Sequence, residues 1–309
     1  MPVDYGLQSN LVTGLFPQPQ VPADWERYLL TQEQLDHFTN HGFISGIPIL
    51  TDSQVQALQK ELAELTDPGH SGREYFYEYN SNESTDPDKT LFHALGAWRV
   101  RPAFHDLLWA PAFRMAAYQL LGTGFRLFHD QLFCKPAQHG SVVAWHQDFS
   151  YWTWTAPMAH LTCWIALDDA TTENGCMYYI PGSHKWGLVE KPDLAGDMDA
   201  VRDFLSPKQI QEFQKKVPIE LKAGQATFHH PLMMHGSYEN HSPKSRRATL
   251  INVFADGVVS NLDWSTQDSP GADNYPKIPK GEKMGGTYYP LLLDPGTLPS
   301  DIPILPPSF

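Results

Sequence analysis

Residues 142–149 read VVAWHQDF, an apolar run carrying an imidazole at 146 and a carboxylate at 148. In a β-strand the side chains at i and i+2 leave from the same face, so an extended conformation aims His146 and Asp148 at one point and turns Gln147 away. Two ionisable groups in so apolar a setting need partners. An imidazole nitrogen and a carboxylate oxygen are two members of the 2-His-1-carboxylate set that leaves coordination positions open on Fe(II). The neighbouring sequence supports the strand. Beyond Gly124 come short apolar or alternating segments, FRLFHDQLFCK (125–135), HLTCWIALDD (160–169), CMYYIP (176–181), KVPIEL (216–221), ATFHH (226–230) and RATLINVF (247–254), broken by the turn signals ENG, PGS and KAGQ. A mainly β core with flanking helices is predicted.

Outward from that core, Thr31 is placed to cap a helix through TQEQLDHFTNHG that Gly42 stops, and FISGIPIL reads as a short strand. Thr51 and Asp52 then offer caps for a helix whose Val55, Leu58, Leu62 and Leu65 recur at helical spacing and dock on a sheet. Residues 67–88 read as a loop over a site, and 103–121 as helix. The organisation expected is one domain over 1–309. It comprises an extended arm (1–30), a mainly helical flank (31–121), a β core (122–256) with a helical insert (193–216), and a Pro-rich extension (257–309) packed outside or partly disordered.

Composition narrows the function. Lys and Arg number 22 against 35 Asp and Glu, a formal charge of -13 that opposes phosphate backbones and anionic lipid. Nucleic acid and membrane partners are therefore not expected. The three cysteines form no CxxC pair, which points away from a disulfide framework or zinc knuckle. The first cation is Arg27 and no apolar run approaches membrane-spanning length, so a cytoplasmic protein is expected.

A third metal ligand is needed. His235 lies in FHHPLMMHGS (228–237), where the chain leaves one short strand before another begins, but His229 and His230 compete with it. Histidines on apolar strands are more often hydrogen-bonded core residues than ligands. Arg246 stands eleven residues after His235, where a guanidinium fork could hold a carboxylate bidentately. Arg247 competes in turn. Strand parity does not choose, because Ala248 and Leu250 line one face while Thr249, Ile251 and Val253 line the other.

Taken together, HQD, ENGCMYYIPGSH (173–184), HGS (235–237) and the arginine eleven positions after that histidine resemble the phytanoyl-CoA dioxygenase family of Fe(II)/2-oxoglutarate oxygenases. The opening YLLTQEQLDHFTNHGFISGIPILTDSQVQAL (28–58) resembles its N-terminal helix-strand-helix, and the likeness runs from about residue 29 to 255. It implies a double-stranded β-helix (a cupin-like jelly roll) with His146, Asp148 and His235 as iron ligands. It also implies Arg246 on the far carboxylate of 2-oxoglutarate and Arg247 as an outward-facing charge. Gln131 and Trp164 fall where relatives contact the cosubstrate, with Ser237 adjacent. For an upstream lysine contact of the family, this chain offers Lys89 or His93.

The activity so implied consumes O2 and 2-oxoglutarate, releases succinate and CO2, and oxidises an unactivated C–H bond of a small-molecule metabolite. Halogenating relatives carry a small residue where Asp148 stands, which favours hydroxylation or a related oxidation. Some of Phe149, Trp152 and Trp154 after the metal pair, and of Tyr75, Phe76 and Tyr77 in the early loop, are expected to contact substrate. PGSH (181–184) reads as a turn with His184 structural. The rival functions are a jelly-roll metalloenzyme without O2 chemistry and a non-catalytic small-molecule-binding protein.

Overall fold

The computed structural model describes residues 2–67, 69–194, 196–263 and 275–307. Its strands in chain order are β1 (Phe43–Pro48), β2 (Glu78–Asn80), β3 (Phe92–Leu95), β4 (Phe125–Lys135), β5 (Val143–His146), β6 (Thr155–Ala156) and β7 (His160–Ala166). There follow β8 (Met177–Tyr179), β9 (Val217–Ile219), β10 (Gln225–His229), β11 (His235–Ser237), β12 (Arg246–Ala255), β13 (Val259–Ser260) and β14 (Leu291–Leu293). A large sheet runs β1-β10-β7-β12-β4-β3-β2, with β14 also on β4, and a small sheet runs β5-β11-β8-β9. From β4 to β12 the chain passes repeatedly between the two sheets, and every neighbouring pair is antiparallel. This is the double-stranded β-helix.

The central strands of the large sheet, β10, β7, β12 and β4, are buried on both faces, which explains their nearly continuous apolar sequence. The outer face carries Cys163, Ile165, Phe228, Ile251 and Val253 in one core with Phe113, Ala116 and Leu120 of the helix Pro111–Leu121 and Leu58 and Leu62 of the helix Asp52–Leu65. Burying each such Leu, Ile or Phe contributes about 1.5–3 kcal/mol. Both N-terminal helices begin on capping boxes. Thr31 Oγ1 accepts from Gln34 N while the Gln34 side chain accepts from Thr31 N, and Thr51 and Gln54 repeat the exchange. Gly42 closes the first helix at φ +83, a left-handed conformation that favours glycine.

Several expectations need correction. The flank is mainly helical and holds the expected strand β1, but it also supplies β2 and β3, which were not expected; all three extend the large sheet. The helix expected over 103–121 is two, Pro102–Leu107 and Pro111–Leu121, because Ala110 precedes a proline and leaves the helical region at ψ 122. The helical insert is a 3-10 turn, Ala200–Phe204, and a short helix, Pro207–Phe213, started afresh by Ser206. The N-terminal arm is pinned, with Asp4 bound to Arg99 at 2.6 Å and Val12 and Thr13 donating to Asp106. The C-terminal extension adds β14 and ties Leu305 N to Gln119 O; its residues 264–274 lie outside the described residues. Among the described residues, no helix is long and apolar enough to cross a membrane.

Candidate active site

The inner faces of the two sheets enclose a cavity of about 430 Å³. β5 and β11 are neighbours, and their register sets His146 directly opposite His235, with ring centroids 4.1 Å apart. Asp148 joins them by a route that strand alternation did not foresee. β5 ends at His146, and Asp148 opens a 3-10 turn, Asp148–Tyr151. Gln147 does turn away, its amide donating to Gly187 O and Leu232 O and accepting from Val189 N.

Hydrogen bonding decides which ring atoms face inward. His146 Nδ1 lies 2.7 Å from Ala144 O and His235 Nδ1 lies 2.8 Å from Met233 O. A carbonyl can only accept, so Nδ1 carries the proton on both rings and Nε2 presents a lone pair. Both Nε2 atoms lie 3.6 Å from Asp148 Oδ1. Burial pushes the His235 ring well below its ordinary pKa, with His146 beside it acting in the same direction. Burial works against the Asp148 charge, yet His235, His146 and His229 outweigh it and hold the carboxyl well below the usual carboxylate range. Two ring nitrogens and a carboxylate oxygen thus converge within 4.8 Å of one another, a donor set that fits a divalent cation such as Fe(II).

The competing histidines fall elsewhere. His229 Nε2 sits 2.9 Å from Asp148 Oδ2, the oxygen turned from the two ligand-like rings, and His230 lies tilted beside His184 with ring centroids 5.4 Å apart. His184 lies 3.3 Å from Thr39 O in the turn after β8.

The two arginines separate cleanly. Arg247 turns outward and binds Asp168 through two nitrogens, at 2.8 and 2.7 Å. Arg246 turns inward and is 1 % exposed. Its Nε donates to Gly175 O, its Nη2 lies 3.4 Å from Ser237 Oγ, its carbon centre sits 5.4 Å over the Trp164 ring, and Nη1 has no partner. Among the described residues no carboxylate pairs with it. Burial pulls its pKa down only to about 10, so it stays charged at neutral pH. Across the strand pair from it, fully buried Lys135 donates to Ser237 O, Ser237 Oγ and Tyr238 O. Sequence reading passed over Lys135, although parity in β4 sets it on the face of Gln131 and Phe133.

Gln131, Trp164 and Ser237 line the cavity with Arg246. Of the two upstream candidates, His93 lines it and Lys89 instead pairs with Glu239 at 3.7 Å. His93 bridges Gln131 Oε1 at 3.3 Å and Glu83 at 2.8 Å. Trp152 and Trp154 are on the wall, but Phe149 packs beside it against Phe128, Trp152 and Phe254. Tyr75, Phe76 and Tyr77 are not on the wall: Tyr75 binds Pro2 O, Phe76 joins the outer core, and Tyr77 stacks on Tyr275 at 4.6 Å. The wall residues that sequence reading missed include Glu78, Glu83, Phe128, His129, Tyr151 and Tyr275. The β4 parity of His129 with Gln131 signals one of them, and Glu78 and Glu83 fall within 67–88, the segment expected to lie over a site.

A protein-family model described as phytanoyl-CoA dioxygenase (PhyH) matches residues 38–248. A phytanoyl-CoA dioxygenase of Arabidopsis thaliana is 30% identical over 260 residues, covering 72% of this chain and 88% of its own. Among solved structures, the non-heme alpha ketoglutarate dependent carbocyclase SnoK from nogalamycin biosynthesis superposes with a TM-score of 0.70 at 22% identity, over 90% of this chain and 100% of that one. The epimerase SnoN in complex with Fe3+, alpha ketoglutarate and nogalamycin RO gives 0.64 at 22%, over 88% and 100%. At such identities the two structures establish the fold.

Proposed function

The chain belongs to the phytanoyl-CoA dioxygenase family, and from that premise we propose that it is an Fe(II)- and 2-oxoglutarate-dependent oxygenase acting on a C–H bond of a small molecule. In this reading His146, Asp148 and His235 hold the iron and Arg246 takes the far carboxylate of 2-oxoglutarate. The observation that carries it is the pairing, in one cavity, of three converging ligand atoms with a buried guanidinium that lacks an anion. A buried charge without a counter-ion is costly, and a dicarboxylate supplies the missing partner.

When bound, iron with O2 and 2-oxoglutarate supplies the oxidising power, releasing succinate and CO2. The chain's own residues orient and shield. Arg246 and the Ser237 hydroxyl fix one end of the cosubstrate, with Trp164 stacked behind the guanidinium. Phe128, Trp152 and Trp154 exclude water and limit which substrate bonds approach the metal. Halogenating relatives have a small residue where Asp148 stands, so a carboxylate at this position favours hydroxylation. The substrate side of the wall carries Glu78, Glu83 and Asp193 against Lys191 and His93, a balance that suits a neutral or cationic substrate better than a polyphosphate thioester.

Replacing Asp148 with Ala should abolish 2-oxoglutarate-dependent succinate release. In the parent chain, adding 2-oxoglutarate to Fe(II) without O2 should raise a weak visible charge-transfer band. Succinate release unchanged in D148A would overturn the ligand assignment.

A further inference from the structure

The two oxygens of Asp148 have different surroundings. Oδ1 faces His146 and His235, each at 3.6 Å. Oδ2 accepts from Thr162 Oγ1 at 2.6 Å and lies 2.9 Å from His229 Nε2. Both partners stand on the large sheet, Thr162 on β7 directly opposite His229 on β10. They come from a different sheet than the two histidines that share Oδ1.

The supports extend one layer deeper. Tyr179 Oη lies 2.9 Å from His229 Nδ1, and Thr227 Oγ1 lies 3.2 Å from Tyr179 Oη and 2.7 Å from Ile44 O. Thr162, Tyr179, Thr227 and His229 are all fully buried. A consistent set of protons has Tyr179 donating to His229 Nδ1 and the His229 Nε2–H donating to Oδ2. The opposite tautomer would set a lone pair against a carboxylate oxygen. Thr162 has a single hydroxyl proton, and the 2.6 Å contact commits it to Oδ2.

We propose that Thr162 and His229 are positioning residues that occupy Oδ2, so that Asp148 would offer only Oδ1 to a metal and leave the remaining positions for 2-oxoglutarate. This rests on the oxygenase reading above. A carboxylate released from both donors can turn and chelate a cation through both oxygens, filling a position the cosubstrate needs. Metal affinity would then survive while 2-oxoglutarate affinity falls. A residue that merely held the barrel together would lose both.

The test uses the full chain, anaerobically, with Mn(II) and Fe(II) as probes. Thr162→Val and His229→Gln are compared with Thr162→Ser, which keeps the hydroxyl. The parent is titrated first. No charge-transfer band there would overturn the oxygenase reading, and this proposal with it. Given a parent band, T162V and H229Q are expected to bind Mn(II) within about threefold of the parent, to need about tenfold more 2-oxoglutarate to develop the Fe(II) band, and to shift its maximum, while T162S behaves as the parent. If H229Q fails to fold, T162V and T162S carry the comparison alone. Unchanged 2-oxoglutarate affinity and band position in T162V would overturn the proposal, as would parallel loss of Mn(II) and 2-oxoglutarate binding, or failure of T162S to restore the band.

Discussion

The two faces of the large sheet carry opposite kinds of side chain on alternate residues of the same strands. On β7, Cys163 and Ile165 point into an apolar core with the helices, while Thr162 reaches Asp148 and Trp164 lies under Arg246. On β12, Ile251 and Val253 face that core, while Arg246 and Leu250 face the cavity. The outer face gains free energy from burial and close packing. The inner face buries cations and imidazoles whose full set of partners includes groups the protein does not itself provide. Stability and chemistry are thus separated by one residue along the chain, and a substitution should register on one side without the other.

The largest break expected in that separation is Arg246→Gln. Removing the buried guanidinium should raise the KM for 2-oxoglutarate by about a hundredfold or more, consistent with roughly 2–5 kcal/mol for truncating one partner of a buried charge pair. Melting temperature should stay level or rise, since no protein carboxylate is left behind. Steady-state succinate assays beside thermal unfolding check both halves, and a large fall in melting temperature would mean that the inner face also carries the fold.

One position from Trp164, Ile165→Val gives the reverse outcome. Deleting one buried methylene should cost about 0.5–1.5 kcal/mol in denaturant unfolding and leave the KM for 2-oxoglutarate within about twofold. A clear change in KM would show that the outer face transmits to the site.

The smallest effect concerns the Glu83–His93 pair at the cavity wall. Burial opposes both charges, yet each partner stabilises the other, so the Glu83 carboxyl lies below its ordinary pKa and the His93 ring above its own. A raised histidine contributes stability that is fully present below its unfolded value and is lost as pH rises through the folded value. A lowered carboxylate contributes above its unfolded value and loses this as pH falls through the folded one. The stability difference between the parent and Glu83→Gln should therefore be greatest at about pH 5–6 and shrink above about pH 7. NMR titration of the His93 ring should show its pKa falling in that variant.

Much of the architecture was legible because it depends on short-range pattern. The alternation in FRLFHDQLFCK and RATLINVF appears as β4 and β12, and the capping residues Thr31 and Thr51 each start a helix. The strands of the flank were harder to see. Glu78–Asn80 is polar and Phe92–Leu95 is short; Phe92–Leu95 is a strand because β4 offers it an edge, and Glu78–Asn80 because β3 then offers the next. The wall of the site was the least legible part. Tyr275, Glu78 and Phe128 share a cavity only after distant segments close on it, while Tyr77 is drawn off the wall into a stack with Tyr275.

By itself the sequence determined the β alternation, the helix starts, and the residue types able to hold a cation and a diacid: a histidine and an aspartate two apart, a later histidine, and an arginine eleven residues on. The residues taken alone left equals, among which the family likeness pointed to His235 and Arg246, and the tertiary structure gives the physical arrangement. It set His235 rather than His229 beside His146, turned Arg246 inward and Arg247 toward Asp168, and brought Asp148 round by a helical turn. The reason is physical. Local pattern specifies which face of a strand a side chain leaves from, whereas what it meets is set by the register between strands far apart in sequence, which no single segment contains.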